Sequence, residues 1–386
     1  MFEISKRLQK LPPYLFAEID RKKKKMISEG VDIIDFGIGD PDLPTPQNII
    51  DAMKKGIENP SFHRYPLGKG TLLFRKAIAD FYKKNYDVKL NPDEEITVLI
   101  GSKEGIAHFP WAFLNPGDIS LVPEPGYPVY HIGTILAEGK PYFIPLKAEN
   151  NFLPELDKIP ESIIKKAKIL FLNYPNNPTA AFAAKEFLID TIKFCKKNEL
   201  ILVYDAAYSE IYFEKKPVSF LSLPGAKDIG IEFHSLSKTY NMTGWRIGWA
   251  CGNSNLVSAL AKIKENIDSG TFEAIQFAGV EALTGSQKSV IELRKIYKNR
   301  MKILVNGLKE TGFAIKMPEG TFYCWLNIEE RSIETASFLL EKAGIVATPG
   351  VGFGPSGEGY LRFSITVPEE KIKEGIRRVK EIWAKK

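Results

Sequence analysis

Cysteine is scarce in this chain: three residues, Cys195, Cys251 and Cys324, stand far apart and odd in number. No C-x-x-C pair occurs, so neither a disulfide framework nor a thiolate zinc site is indicated, and a reducing compartment fits. Long apolar runs are missing too. Nothing approaches the roughly 20 apolar residues of a membrane-spanning helix. The opening MFEISKRLQKLPPYLF is broken by charges where a signal peptide would need an unbroken apolar stretch. A strong excess of one charge is also lacking. With 53 basic against 47 acidic residues the net charge is +6, mild for 386 residues, and bulk electrostatics does not call for nucleic acid. The densest basic run, RKKKK at 21–25, reads as the wet face of a helix. Internal repeats and low-complexity linkers are not seen.

What is present is a composition 44% apolar and 26% charged, that of a soluble globular protein. The length suits one large domain plus a smaller one. Short runs rich in Val, Ile, Leu and Phe recur: ITVLI (96–100), ISLVP (119–123), KILFLN (168–173), LILVYD (200–205), GIEFHS (230–235) and RIGWACG (246–252). Helix-like periods separate several of them, at 103–114 and 182–198. Continuous apolar strands alternating with helices predict an α/β fold with a largely parallel sheet buried on both faces. Beyond about residue 253 the pattern turns helical, with a long charged amphipathic helix at 286–311. GTFYCWLNI then reads as a strand, 332–343 as a helix, YLRFSIT as a strand and 368–384 as a closing helix. A smaller α+β domain would be built from both chain ends.

In open α/β sheets ligands sit outside the carboxyl ends of the strands. ITVLI runs into Gly101-Ser102-Lys103-Glu104-Gly105, where Ser102 can start a helix whose free N–H groups would hold an anion; an ordinary cap is the alternative. KILFLN ends in NYPNNPT, which can be simple turn punctuation. LILVYD ends in Asp205-Ala206-Ala207-Tyr208, and a carboxylate there is costly to bury without a cationic partner. GIEFHS delivers Ser235, Ser237 and Lys238, with Arg246 eight positions after the lysine. Each feature alone is weak. Together, on successive strand ends, they form an anion cradle, an amide, a carboxylate with a tyrosine, and a lysine. That set suits a ligand with a phosphate, a protonated ring nitrogen, a phenolic oxygen and an aldehyde, which is pyridoxal 5′-phosphate.

The motifs FGIGDPDLPTP, HRYPLGKG, GSKEGI, PEPGYPVY, NYPNNPT, YDAAYSE, SLSKTYNMTGWRIGW and TPGVGFGPSGEGYLRFS, in that order along nearly the whole chain, resemble the class I/II aminotransferases of the fold type I pyridoxal phosphate superfamily. The resemblance implies a mostly parallel seven-stranded sheet between helices, with a large cofactor-binding domain at 44–284 and a small domain from 1–43 and 285–386. It also implies roles. Lys238 would join the cofactor covalently and then move the proton at the substrate α-carbon. Asp205 would face the ring nitrogen, and Tyr208 and Asn177 the phenolic oxygen. Tyr127 would stack on the ring. Ser102, the Lys103 backbone, Ser235, Ser237 and Arg246 would hold the phosphate, for which a forked guanidinium is the better clamp. Arg362 would grip the substrate α-carboxylate, with Asn177 and the Gly39 backbone beside it. Tyr65 would reach the phosphate of a partner subunit, which implies a homodimer with its sites at the interface. No metal is implied.

Two departures stand out. The family usually has glycine after Asn-Pro-Thr, where this chain has Ala180, so a slight shift of that loop is expected with no catalytic group affected. Gly68 stands where one branch of the family carries a carboxylate, which weakens transfer of side-chain specificity there.

Other classes fit less well. Gly37 and Gly39 lead into Asp-Pro-Asp rather than into G-x-x-G and a helix, so a dinucleotide fingerprint fails. GIGDPD begins at residue 37, which leaves no room for an N-terminal DNA-reading domain. A scaffold that had lost catalysis should also have lost Lys238, Asp205 or Arg362.

Within the family, LPPYLFAEID with Tyr14, GSKEGIAHFP, NYPNNPTAA and KENIDSGTF with Asn266 are most similar to the branch that moves an amino group between LL-diaminopimelate and 2-oxoglutarate in lysine biosynthesis. The far end of diaminopimelate carries an ammonium and a carboxylate together, and Tyr14, Lys103, Tyr127 and Asn266 offer the mixed donors and acceptors it needs. A dicarboxylate site would aim a second arginine at the side chain. Arg64 is the one arginine placed near, and it reads equally well as a structural contact beside Tyr65. Aspartate or alanine aminotransfer of broader specificity is the alternative.

Overall fold

The fold is a computed structural model that describes residues 2–11, 17–66 and 68–383. A short strand near the start, β1 (Ile34–Asp35), lies apart from the main sheet. The main sheet is built from β2 (Ile96–Leu99), β3 (Ile119–Glu124), β4 (Lys140–Pro145), β5 (Ala167–Asn173), β6 (Ile201–Asp205), β7 (Gly230–Ser235) and β8 (Gly248–Gly252). Across the sheet the order is β2-β8-β7-β6-β5-β3-β4. Every pairing is parallel except those of β8, which runs against both β2 and β7.

The six apolar runs become strands because both of their faces are covered. Ile169, Phe171, Val203, Ile231 and Phe233 pack on one side with Ile106 and Phe109 of the helix Ser102–Phe113. Leu170, Leu172, Leu202 and Trp249 pack on the other. The seventh strand, β4, has no such pattern. It is the sheet's edge, mostly exposed or half-buried, and carries Pro141 and Pro145, which an edge position tolerates. The helices expected at 103–114 and 182–198 are Ser102–Phe113 and Lys185–Lys197.

A second body gathers β9 (Tyr323–Asn327), β10 (Ile345–Val346), β11 (Thr348–Pro349) and β12 (Tyr360–Ser364) with the helices Lys288–Glu310, Ser332–Ala343 and Glu369–Trp383. Strands β11, β12 and β9 form an antiparallel sheet. β10 pairs in parallel with β1, so the first residues of the chain join the last third. Its core, centred on Phe36, Tyr297, Met301, Leu304, Leu339 and Phe363, also takes in Ala180, Tyr208 and Ile211 from the first body. Arg300 of the long helix reaches back to both carboxylate oxygens of Asp42, at 2.7 and 2.9 Å.

These directions create one functional rim. β2, β3, β5, β6 and β7 all finish along it, and the reversed β8 begins there. Leu99 and Ser235 accordingly both face Gly248. Residues just before β8, Arg246 among them, therefore arrive at the same edge as the carboxyl ends of the other strands.

Candidate active site

The chain leaves β2 through Gly101, whose φ of 75° is the left-handed conformation that glycine adopts without strain. The helix Ser102–Phe113 then starts with no side-chain cap from Gly101, leaving its first-turn N–H groups directed at the rim. The Arg246 guanidinium lies so close to Gly101 that any side chain there would meet it. Arg246 itself holds a left-handed φ of 56° and donates from Nη1 to the Thr243 carbonyl at 2.7 Å. Ser235 and Ser237 are buried, and the Ser235 hydroxyl oxygen accepts the Ser237 N–H at 3.1 Å. Ser102 is half-buried and Lys103 exposed. Behind the cradle, Glu104 accepts the Ile100 N–H at 3.2 Å and the buried Lys264 ammonium at 2.9 Å, which fixes the turn.

Asp205 ends β6 and is 4% exposed. Its Oδ2 accepts the Tyr130 hydroxyl at 2.9 Å and its Oδ1 the Ala207 N–H at 3.1 Å. Among the described residues it belongs to no ion pair. Burial pushes its carboxyl above the ordinary carboxylate range, while the Tyr130 and Ala207 donors oppose that shift. Asn173, at the end of β5, donates to the Asp205 carbonyl at 2.9 Å and accepts the Asn177 N–H at 2.8 Å. Tyr127 is half-buried and edge-on to Tyr130, with ring centres 6.1 Å apart. Burial raises the Tyr127 phenol, so it stays protonated.

Lys238 follows β7 and points its Nζ at the Gly39 carbonyl, 3.3 Å away. Burial pulls its ammonium down to about 8; Asp40 opposes this, and Arg246 and Arg362 reinforce it. Tyr208 shares a hydrogen bond with the Tyr323 hydroxyl at 3.1 Å. That hydroxyl sits against Gly39, where a side chain would collide with it.

Arg362, on β12, is 7% exposed. Its Nη1 donates to Asn177 Oδ1 at 2.7 Å and its Nη2 to the Gly37 carbonyl at 2.8 Å. The backbone group bonded to Arg362 is thus Gly37, while Gly39 receives Lys238. The Arg362 Nε is buried with no partner. The guanidinium lies over the Tyr323 ring at 4.2 Å and the Phe353 ring at 4.7 Å. A buried cation held only by neutral acceptors is suited to a carboxylate.

Other expected residues lie farther out. Tyr65 is 82% exposed, and Arg64 is exposed beside it. Asn266 is exposed, and its amide turns back to the Lys262 carbonyl at 2.8 Å. Tyr14 lies outside the described residues. Pattern reading of the sequence missed Tyr130, Asn173 and Tyr323. Ala180 takes a left-handed φ of 58°, and its N–H closes the turn onto the Asn176 carbonyl at 3.0 Å.

The donor set fits pyridoxal phosphate. There is an amine near neutrality, a buried carboxylate without a cation, an arginine beside a helix start, and phenol and amide groups between them. Comparison with known proteins agrees. The model of the class I and II aminotransferases matches residues 31–379. The LL-diaminopimelate aminotransferase of Aquifex aeolicus is 55% identical over 99% of this chain and 100% of its own. That of Moorella thermoacetica is 50% identical over 99% and 98%. Among solved structures, substrate-bound BacF from Bacillus subtilis superposes with a TM-score of 0.95 at 38% identity, covering 99% of this chain and 98% of that one. A mutant aspartate aminotransferase from Thermus thermophilus gives 0.93 at 27% identity, covering 99% and 100%. The chain belongs to the class I and II aminotransferases, enzymes that work with pyridoxal phosphate.

Proposed function

We propose that this enzyme moves the amino group of LL-diaminopimelate to 2-oxoglutarate in two successive half-reactions, a step of lysine biosynthesis. The observation that carries the substrate is the identity of 50 to 55% with relatives of that activity over 98 to 100% of their length. Pyridoxal phosphate, when bound, supplies an electron sink for the α-carbon. Lys238 would bind it and, with its amine drawn down to about 8, take up and return the α-proton near neutral pH. Asp205 would keep the ring nitrogen protonated. Tyr208 and Asn177 would serve the phenolic oxygen and Tyr127 the ring face. Ser102, the Lys103 backbone, Ser235, Ser237 and Arg246 would hold the phosphate. Arg362, with Asn177 and the Gly39 backbone nearby, would hold the α-carboxylate and so orient the reacting carbon. Tyr14, Lys103, Tyr127 and Asn266 would meet the far ammonium and carboxylate.

A homodimer belongs to the same proposal. Tyr65, Leu72, Leu73 and Ile267 are exposed apolar side chains near the place where Pro66 approaches Gly270, and a second copy would cover them while Tyr65 reached its phosphate. The division into a large domain at 44–284 and a small one from 1–43 and 285–386 is supported by the clusters on the two faces of the large sheet and a third centred on the chain ends, which borrows Ala180, Tyr208 and Ile211. Three separate buried thiols are consistent with a cytoplasmic location.

The deciding assay offers LL-diaminopimelate, meso-diaminopimelate, aspartate and alanine separately, each with 2-oxoglutarate, and compares kcat/KM. A site that hydrogen-bonds a substrate's polar end rejects analogues lacking it by up to about 10⁴-fold or more. LL-diaminopimelate should lead. If aspartate or alanine equals it, the substrate assignment fails and a broader aminotransferase remains.

A further inference from the structure

We propose that Glu124 and Ser356 are positioning residues for Arg362, acting through Phe353. This inference rests on the reading of Arg362 as the grip on the substrate α-carboxylate. Glu124 is the last residue of β3, on the rim of the large sheet, and is 7% exposed. Its Oε2 accepts both the hydroxyl and the backbone N–H of Ser356, at 2.6 and 3.1 Å. Two residues farther on, the Gly126 N–H donates to the Phe353 carbonyl at 2.9 Å. Between these ties lies Gly354 at φ 115°, where any side chain would run into Glu124. The segment 353–356 is therefore sewn to the end of β3 by three hydrogen bonds, with a glycine permitting the close approach.

Phe353 is the part of that segment that matters to the site. Its ring centre stands 4.7 Å from the Arg362 guanidinium, which also has the Tyr323 ring at 4.2 Å, and packs edge-on against Trp325 at 5.9 Å. With only neutral acceptors at two of its nitrogens and none at Nε, Arg362 depends on these aromatic walls for its aim. A buried carboxylate with no cationic partner among the described residues is a costly way to join two segments. What it provides over an apolar contact is direction, since two charge-assisted hydrogen bonds fix one serine in place. Glu124 also stands three residues before Tyr127. One strand end thus sets both the ring-side wall and, through Ser356 and Phe353, the carboxylate-side wall.

The test uses holoenzyme variants Glu124→Ala, Glu124→Gln, Ser356→Ala and, as a control, Arg362→Leu. Glutarate affinity is measured by calorimetry, and melting of the apoproteins reads stability. Amino-oxyacetate and O-methylhydroxylamine both capture the bound cofactor and change its absorption, but only the first has a carboxylate. The ratio of their capture rates therefore reads the carboxylate grip alone. Ser356→Ala and Glu124→Ala should weaken glutarate binding about tenfold, the loss expected for one well-made hydrogen bond. They should lower the capture ratio by a similar factor and leave O-methylhydroxylamine capture unchanged. KM should rise with kcat nearly constant. Glu124→Gln, which keeps an acceptor, should restore part of the loss, and adding Ser356→Ala to Glu124→Ala should cost little more. Ser356→Ala removes a single hydroxyl oxygen and keeps the test open if Glu124→Ala does not fold. Lower melting temperatures with unchanged glutarate affinity and ratio would overturn the proposal, as would equal loss with both reagents. If Arg362→Leu abolishes the ratio and the other variants do not, Arg362 keeps its role and only this inference falls. If Arg362→Leu changes neither quantity, the reading of Arg362 falls and takes the inference with it.

Discussion

The two ends of the site are built on different terms. At the inner end, Asp205, Asn173, Asn177, Tyr208 and Arg362 are all buried, and each hydrogen-bonds to another rim group. At the outer end, Arg246, Lys103, Tyr65 and Asn266 are exposed, and the first-turn amides of the helix at Ser102 and the buried Ser235 and Ser237 are the more sheltered groups. Groups held dry and already oriented strengthen every charge interaction made there, so the inner end should govern rate. The outer end, if it meets the cofactor phosphate as proposed, faces a group that brings its own charge, so it should govern how tightly the cofactor is retained. The contrast can be broken by any inner-end change that alters retention alone, or by an outer-end change that alters rate alone.

The largest expected effect is at Lys238. Lys238→Ala should lower kcat by at least about 10⁴ with the fold intact, as removal of a covalent catalyst does. Single-turnover conversion of amino donor followed by absorbance checks this, and near-normal conversion would refute it. Asp205→Ala should cost about 10² to 10³ in kcat at saturating cofactor. Tyr130→Phe removes one hydrogen bond from that carboxylate and should cost about tenfold by the same assay. An unchanged kcat in the first would mean another group keeps the ring nitrogen protonated.

A stability measurement sharpens the inner-end claim without any turnover. The Lys238 amine titrates at about 8 in the folded apoprotein against an ordinary 10.5. Between those values the unfolded chain binds more protons, so the stability of the apoprotein rises with pH across that window, and the penalty is fully present below it. Lys238→Met, which buries no ammonium, should therefore exceed the wild-type apoprotein by on the order of 3 kcal/mol below pH 8. The gap should close as pH approaches 10.5, as read by urea unfolding. A gap independent of pH would mean that the amine is not buried as a charge.

The smallest effect belongs to the outer end. Tyr65→Phe should weaken cofactor retention about tenfold and leave kcat at saturating cofactor nearly unchanged. Mixed dimers with Tyr65→Phe on one chain and Lys238→Ala on the other locate the phenol. If it serves the partner's phosphate, both defects fall in one site and the other site is intact. If it acts within its own chain, every site carries a defect.

Most of this architecture was legible in the residues. Six of the seven strands of the large sheet announce themselves as apolar runs because both faces are covered, whereas the edge strand β4 has nothing to cover one face and hides behind two prolines. Lys238 and Asp205 could be read from where strands end, whereas Arg362, in the middle of β12, came only with the family resemblance. Tyr130 and Tyr323 could not, because their partners Asp205 and Tyr208 lie 75 and 115 residues away, and local pattern shows only a helix face and a strand. At Ala180, where the family usually has glycine, the alanine takes a left-handed backbone and its N–H bonds to the Asn176 carbonyl.

The reversal of β8 has a consequence for the order in which the molecule is assembled. A parallel strand is reached only after a crossover, so Ser102 and Asp205 of the large sheet stand about a hundred residues apart, and Arg362 comes later still, from β12 of the second body. Lys238 and Arg246 instead share the single connection between β7 and β8, whose strands pair as Ser235 with Gly248. The residues proposed as covalent anchor and phosphate clamp thus sit within one short connection, of the kind that closes early because little chain entropy opposes it. The distant groups must then be gathered around that loop, so the slow, long-range part of folding would complete the site on a connection already closed.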